Sequence, residues 1–137
     1  MKTAFYRPGD RGAYRTLDAS SVVELFHPDA IAGLPCSLAE ATVGPGEATI
    51  AHLHRGTTEI YYVLEGSATM EVAGRQEPLA AGEAVLIPAD SPHHLTAGLE
   101  GCRFLCFCSP AYRHDRTRLL DGEGTAEGDG LTKKEGI

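Results

Sequence analysis

Between residues 20 and 110 the apolar residues come in runs of four to eight, and Gly, Pro or Asp interrupts them about every ten residues. That spacing leaves no room for the period of an amphipathic helix and fits short strands joined by tight turns. It predicts strands at Val22–Phe26, Ser37–Thr42, Thr49–His54, Ile60–Leu64, Ala68–Val72, Ala84–Ile87, His93–Ala97 and Arg103–Cys108. Between them lie Gly44-Pro45-Gly46, Glu65-Gly66, Ala73-Gly74-Arg75, Ala81-Gly82-Glu83 and Pro88-Ala89-Asp90-Ser91-Pro92. These are turn sequences, because glycine reaches positive φ without steric cost and proline presets φ. Eight strands of this kind predict an all-β fold, a jelly-roll barrel. No repeat at a period of 20–50 residues is visible, so one barrel is expected rather than two in tandem.

Residues 37–112 are expected to form the barrel, with residues 1–36 as an N-terminal segment packed on it. Phe5, Tyr6 and Tyr14 suggest that this segment lies against something apolar. Residues 113–137 form a C-terminal extension in which, from Asp121 onward, Leu131 and Ile137 are the only bulky apolar residues. That is too little to repay ordering entropy, so a flexible tail is expected there.

At 137 residues, 42% of them hydrophobic and 23% charged, the chain can bury one core without disulfide staples. The net charge of −7 and the scattered Lys and Arg argue against nucleic acid as a partner. No apolar run approaches the ~18 residues of a membrane-spanning helix, and the first residues lack the apolar stretch of a secretion signal. A cytoplasmic protein without a membrane partner is expected. Its four cysteines, Cys36, Cys102, Cys106 and Cys108, are then expected as free thiols. A lone Cys106-x-Cys108 lacks the paired spacing of a structural zinc site. On the last strand Cys102, Phe104, Cys106 and Cys108 share the inner face, where buried cysteines ordinarily act as small inert hydrophobes. Arg103, Leu105 and Phe107 share the outer face, and the two apolar residues need cover from the N-terminal segment or a second subunit. A homodimer is therefore expected.

The chemistry is concentrated in Ile50-Ala51-His52-Leu53-His54, since strand alternation points His52 and His54 to the same face. A turn through Arg55-Gly56-Thr57-Thr58 can bring Glu59 back beside them, and His93 opens a strand after the Pro88–Pro92 turn. Adjacent His94 points the other way. Three imidazoles and one carboxylate form a borderline donor set suited to one divalent transition metal, Fe, Mn, Ni, Cu or Zn, rather than Ca or Mg.

Gly46-x5-His52-x-His54-x4-Glu59-x6-Gly66 resembles the first motif of the cupin superfamily in full. Gly82-x5-Pro88-x-Asp90-x2-His93 resembles the second, with Asp90 where the pattern usually has Gly and Ala97 where it has Asn. Asp tolerates the left-handed region better than most residues. A looser likeness to small single-domain bacterial cupins runs from Ser37 to Tyr112. The resemblance implies a double-stranded β-helix with a metal in the barrel mouth, bound by His52, His54, Glu59 and His93.

Four protein ligands on an octahedral ion leave two adjacent positions open for a substrate. If Glu59 points inward so does Tyr61, whose hydroxyl becomes the candidate catalytic proton donor, the other reading being a core aromatic. There is no G-x-S-x-G elbow, Walker loop or G-x-G-x-x-G opening a helix, so neither a serine nucleophile nor a nucleotide cofactor is indicated. The expectation is a small-molecule enzyme acting on an oxygen-bearing substrate. Fe, Mn, Ni or Cu would permit a dioxygenase-like reaction, and Zn would polarise a carbonyl or water in an isomerase, cyclase or lyase. The alternative is a non-catalytic metabolite-binding or sensing module.

Overall fold

Residues 37, 39, 41 and 43 are buried while those between them face outward or sit half-buried, the alternation of a strand with one face on a core. The computed structural model describes residues 1–120 and shows nine strands in one curled antiparallel sheet. They are β1 (Tyr14–Arg15), β2 (Ser21–Phe26), β3 (Ser37–Val43), β4 (His52–His54), β5 (Thr58–Val72), β6 (Arg75–Ala80), β7 (Ala84–Ile87), β8 (His93–Ser109) and β9 (Thr117–Leu119). A single turn of 3-10 helix, His114–Arg116, precedes β9.

The long strands β5 and β8 organise the barrel. The first part of β5, from Thr58 to Gly66, pairs with the last part of β8, and Ala68–Val72 pairs back onto His93–Ala97. Register shifts at Val63/Glu65 and Gly66/Ala68 mark the bend between the two halves. On one side β8 continues through β3 and β2 to β1, and on the other β5 carries β6 and β7. The enclosed core includes Val63, Met70, Ile87, Leu95 and Phe104. One end of it opens into a cavity lined by polar and apolar side chains together.

The expected breaks at Glu65-Gly66 and between residues 97 and 103 are therefore bends inside continuous strands. A glycine at positive φ serves a bulge as well as it serves a turn, and sequence alone does not distinguish them. The strand expected at Thr49–His54 shortens to His52–His54, because Ala48 only bridges Thr96 and the Ile50 amide donates to the Asp18 carbonyl. β6 lies outside the strands that the sequence predicts: five of its six residues are exposed, so it shows no hydrophobic alternation, and its edge position accommodates Pro78.

The N-terminal region contributes β2 to the sheet, in register with β3, and Tyr14 packs against the core. Phe5, expected against an apolar surface, is 75% exposed, with the Arg7 guanidinium 5.5 Å from its ring centroid. β9 pairs with β4, so the residues just beyond the expected barrel limit support the strand that carries two histidines. The tail expected to be flexible from Asp121 lies outside the described residues. Among those residues no helix is long and apolar enough to cross a membrane.

Candidate metal centre

β4 is only three residues long, yet it buries both His52 and His54 and leaves Leu53 half-buried on the other side. His52 is directly opposite His93, the first residue of β8, and their ring centroids are 4.3 Å apart. The ring nitrogens of His52, His54 and His93 offer ligand atoms within 4.8 Å of one another, a cluster that could hold a metal ion. Glu59 enters from the start of β5, fully buried beside them. Its Oε1 is 3.3 Å from His54 Nε2 and 3.2 Å from His93 Nε2. The structure thus gathers all four sequence-predicted ligand candidates at one place, while His94 sits outside near Glu71.

The turn that delivers His93 is fastened to the β4–β5 loop. Asp90, in the left-handed region at φ +68°, accepts the Gly56 amide at 3.0 Å, and its own amide donates to the His54 carbonyl. A glycine there would keep the backbone conformation and lose the side-chain link.

The second nitrogen of each imidazole decides what the first can do. His52 Nδ1 is 2.7 Å from the Ile50 carbonyl and His93 Nδ1 is 2.9 Å from the Ser91 carbonyl. A carbonyl only accepts, so both Nδ1 atoms carry the proton. His54 Nδ1 is 3.0 Å from the Thr117 hydroxyl, which donates its own proton to the Arg113 carbonyl and is left to accept. All three Nε2 atoms therefore point lone pairs inward, where they meet carboxylate oxygens. His52 Nε2, His93 Nε2 and Glu59 Oε1 are buried and have no hydrogen-bond partner.

Acceptors facing acceptors in a buried site are costly unless a cation lies among them. Two ligands about 2.1 Å from one ion, at angles of about 90–109°, stand about 3.0–3.4 Å apart. The His54–Glu59 and His93–Glu59 separations fall in that range, so the residues present fit a divalent ion. Burial, then the neighbouring His93, takes His52 down to about 3, which keeps its imidazole neutral. Burial opposes the charged forms of Glu59 and His54 as well. Even so, their mutual attraction holds Glu59 well below the usual carboxylate range and raises His54.

Around this cluster lies a cavity of about 520 Å³, its mouth included. Tyr61 is buried in its wall, its ring 6.1 Å from His93 and 4.6 Å from Phe104. Burial and then the charge of Glu59 push the phenol well above its ordinary value, so it stays protonated. Cys106 and Cys108 reach the inner face, as alternation requires, and touch the other Glu59 oxygen: the thiols lie 2.7 and 3.4 Å from Oε2. The Cys108 hydrogen bond, burial and Glu59 together raise Cys106 well above the usual thiol range. These two cysteines and Glu59 form a second cluster of ligand-type atoms against the first.

Strand alternation gave no sign of Asp18, whose Oδ2 is 3.4 Å from His52 Nε2. The available signal was Thr16-x-Asp18-x-Ser20, an acid between two hydroxyl residues that both bind it. Nor did it mark Tyr112, whose ring meets His54 edge-on at 5.4 Å, because that residue lies past the last predicted strand.

Residues 39–108 match the cupin domain family. The chain belongs to that family. Over 109 residues this cupin is 37% identical to protein MJ1618 of Methanocaldococcus jannaschii, covering 79% of the present chain and 87% of the relative. Among solved structures it resembles KdgF from Halomonas sp., with a TM-score of 0.70 and 18% identity over 82% of this chain and 96% of that one. It also resembles the nucleoside dehydratase Pac13, with a TM-score of 0.72 and 12% identity over 92% and 99%. At those identities the likeness is one of fold. It places the cupin barrel, the double-stranded β-helix, around the four residues described.

Proposed function

We propose that this cupin is a metal-dependent small-molecule enzyme that binds one divalent transition metal through His52, His54, His93 and Glu59. The observation that carries the reading is the convergence of three imidazole lone pairs and a carboxylate oxygen, buried and without a donor among them. Fe, Mn, Ni, Cu and Zn all suit this donor set. When bound, such an ion supplies Lewis-acid polarisation of a substrate oxygen.

The protein does the rest. The Ile50, Ser91 and Thr117 oxygens hold the three imidazoles in one tautomer and orientation, as partners of metal-binding histidines commonly do. Tyr61 keeps its proton and stands in the cavity wall as the candidate donor to a leaving or developing oxygen. Apolar walls such as Val22, Ala39 and Phe104 limit water around the reacting atoms. That a barrel of this shape is a nucleoside dehydratase in Pac13 supports an enzymatic over a purely binding role.

Elemental analysis of protein purified without a metal-affinity tag tests the first part. One equivalent of a transition metal is expected, and its loss in the paired variant His52→Ala/His93→Ala. Metal content unchanged by that variant would refute the assignment. Oxygen uptake then separates the two chemistries, since zinc without uptake leaves the isomerase, cyclase or lyase reading.

A further inference from the structure

We propose that the cavity takes an uncharged, hydroxyl-bearing small molecule, and that Asp18 Oδ2 accepts a hydrogen bond from one of its hydroxyls beside the three imidazoles. The position of that hydroxyl rests on the metal reading above, whereas the charge preference belongs to the cavity walls.

Asp18 lies in the β1–β2 turn with its side chain only 13% exposed. Its Oδ1 accepts from the Thr16 hydroxyl, the Ser20 amide at 3.0 Å and the Ser20 hydroxyl at 2.7 Å. Those donors pin the carboxylate and turn Oδ2 toward His52 Nε2, which presents a lone pair rather than a proton. Oδ2 therefore faces the site as an acceptor, and the imidazole before it has nothing to donate.

The same shortage recurs around the cavity. Tyr14 donates to Glu24 Oε2 at 2.9 Å, while Glu24 Oε1 is buried without a partner. Glu59 Oε1, also without a hydrogen-bond partner, faces His54 and His93 as the oxygen assigned to the metal. Three carboxylates thus line the space, and among the described residues no Lys or Arg does. Asp18 and Glu59 together balance the two positive charges of a divalent ion, so a carboxylate or phosphate ligand would find no net positive charge and close negative neighbours. A neutral ligand rich in hydroxyl groups supplies Asp18 Oδ2 with the donor it lacks, and the Thr16, Ser20, Tyr61 and Tyr112 side chains in the wall can exchange hydrogen bonds with it.

The test uses a matched pair, ribitol and ribonate, which differ in a terminal carboxylate. Paramagnetic broadening of their proton signals by the full-length protein loaded with Mn(II) reads binding near the site. Ribitol should broaden and ribonate should bind at least about tenfold more weakly. Asp18→Asn keeps an acceptor for Thr16 and Ser20 but places an amide where Oδ2 stands. Ribitol binding should then fall about tenfold while ribonate binding rises. Ribonate bound as well as ribitol, ribitol not bound at all, or both unchanged in a folded Asp18→Asn protein would each overturn the inference. Should Asp18→Asn not fold, the wild-type contrast decides. A protein that takes up no divalent metal refutes the metal reading by itself. Saturation-transfer difference on the metal-free protein then reads the same pair, and a preference for ribonate overturns the charge argument.

Discussion

Glu24 combines an unpartnered buried oxygen with a carboxyl raised above its ordinary value, chiefly by burial, against the opposing Tyr14 hydrogen bond and His27 charge. A carboxyl raised in the folded state binds more protons there than in the unfolded chain. Stability from this group is therefore present below about pH 4.5, the unfolded value, and is lost as pH rises through the folded value. Glu24→Gln removes the charge and keeps an acceptor for Tyr14. It should raise the melting temperature at pH 7–8, with the gain vanishing below about pH 4.5 in melts across that range; a gain confined to acid pH would contradict this account. At the same scale, His52, His54 and His93 were legible because alternation and a turn bring like residues to one face. Asp18, Glu24 and Tyr112 were not, because their distance from the site in sequence carries no periodic signal.

Within the elements, the two long strands depend on a close crossing. Gly66 in β5 has φ +80°, and a Cβ there would lie 2.0 Å from the Gly101 carbonyl oxygen in β8. Both the backbone conformation and the space exclude a side chain. Gly66→Ala should cost about 2–4 kcal/mol and lower the melting temperature by roughly 10 °C or more, readable by calorimetry. A loss under about 1 kcal/mol would show that the bend relaxes. Hydrophobic runs revealed most strands, but not that 60–64 and 68–72 are one. A bulge and a hairpin use the same residues, and only pairing with β8 shows that the chain does not turn back.

Across the whole molecule, an apolar row crosses the outer face of the sheet. Leu86, Ile60, Phe107 and Leu38 are cross-strand neighbours on β7, β5, β8 and β3, and Leu86 is 60% exposed. Tyr62 lies exposed on the same face, next to half-buried Leu105. Contiguous apolar surface of this kind favours association. We expect light scattering to give twice the chain mass of 14.5 kDa, and Leu86→Glu to return the monomer. A monomeric wild type would leave the row as ordinary surface.

Short apolar runs, turn residues and the His-x-His spacing by themselves determined a β barrel with His52 and His54 on one face, because local periodicity dictates which way each side chain of a strand faces; Glu59 and His93 joined them as candidates through the turns before them and the cupin resemblance. Only the tertiary structure decided that β9 braces His54 through Thr117, that Cys106 and Cys108 meet Glu59, and that the β1–β2 turn brings Asp18 to the imidazoles. Those contacts join residues that are 34 to 63 positions apart in several cases, as with His52 and Asp18 or His54 and Thr117. Their meeting depends on how the sheet curls, which no window of local sequence records.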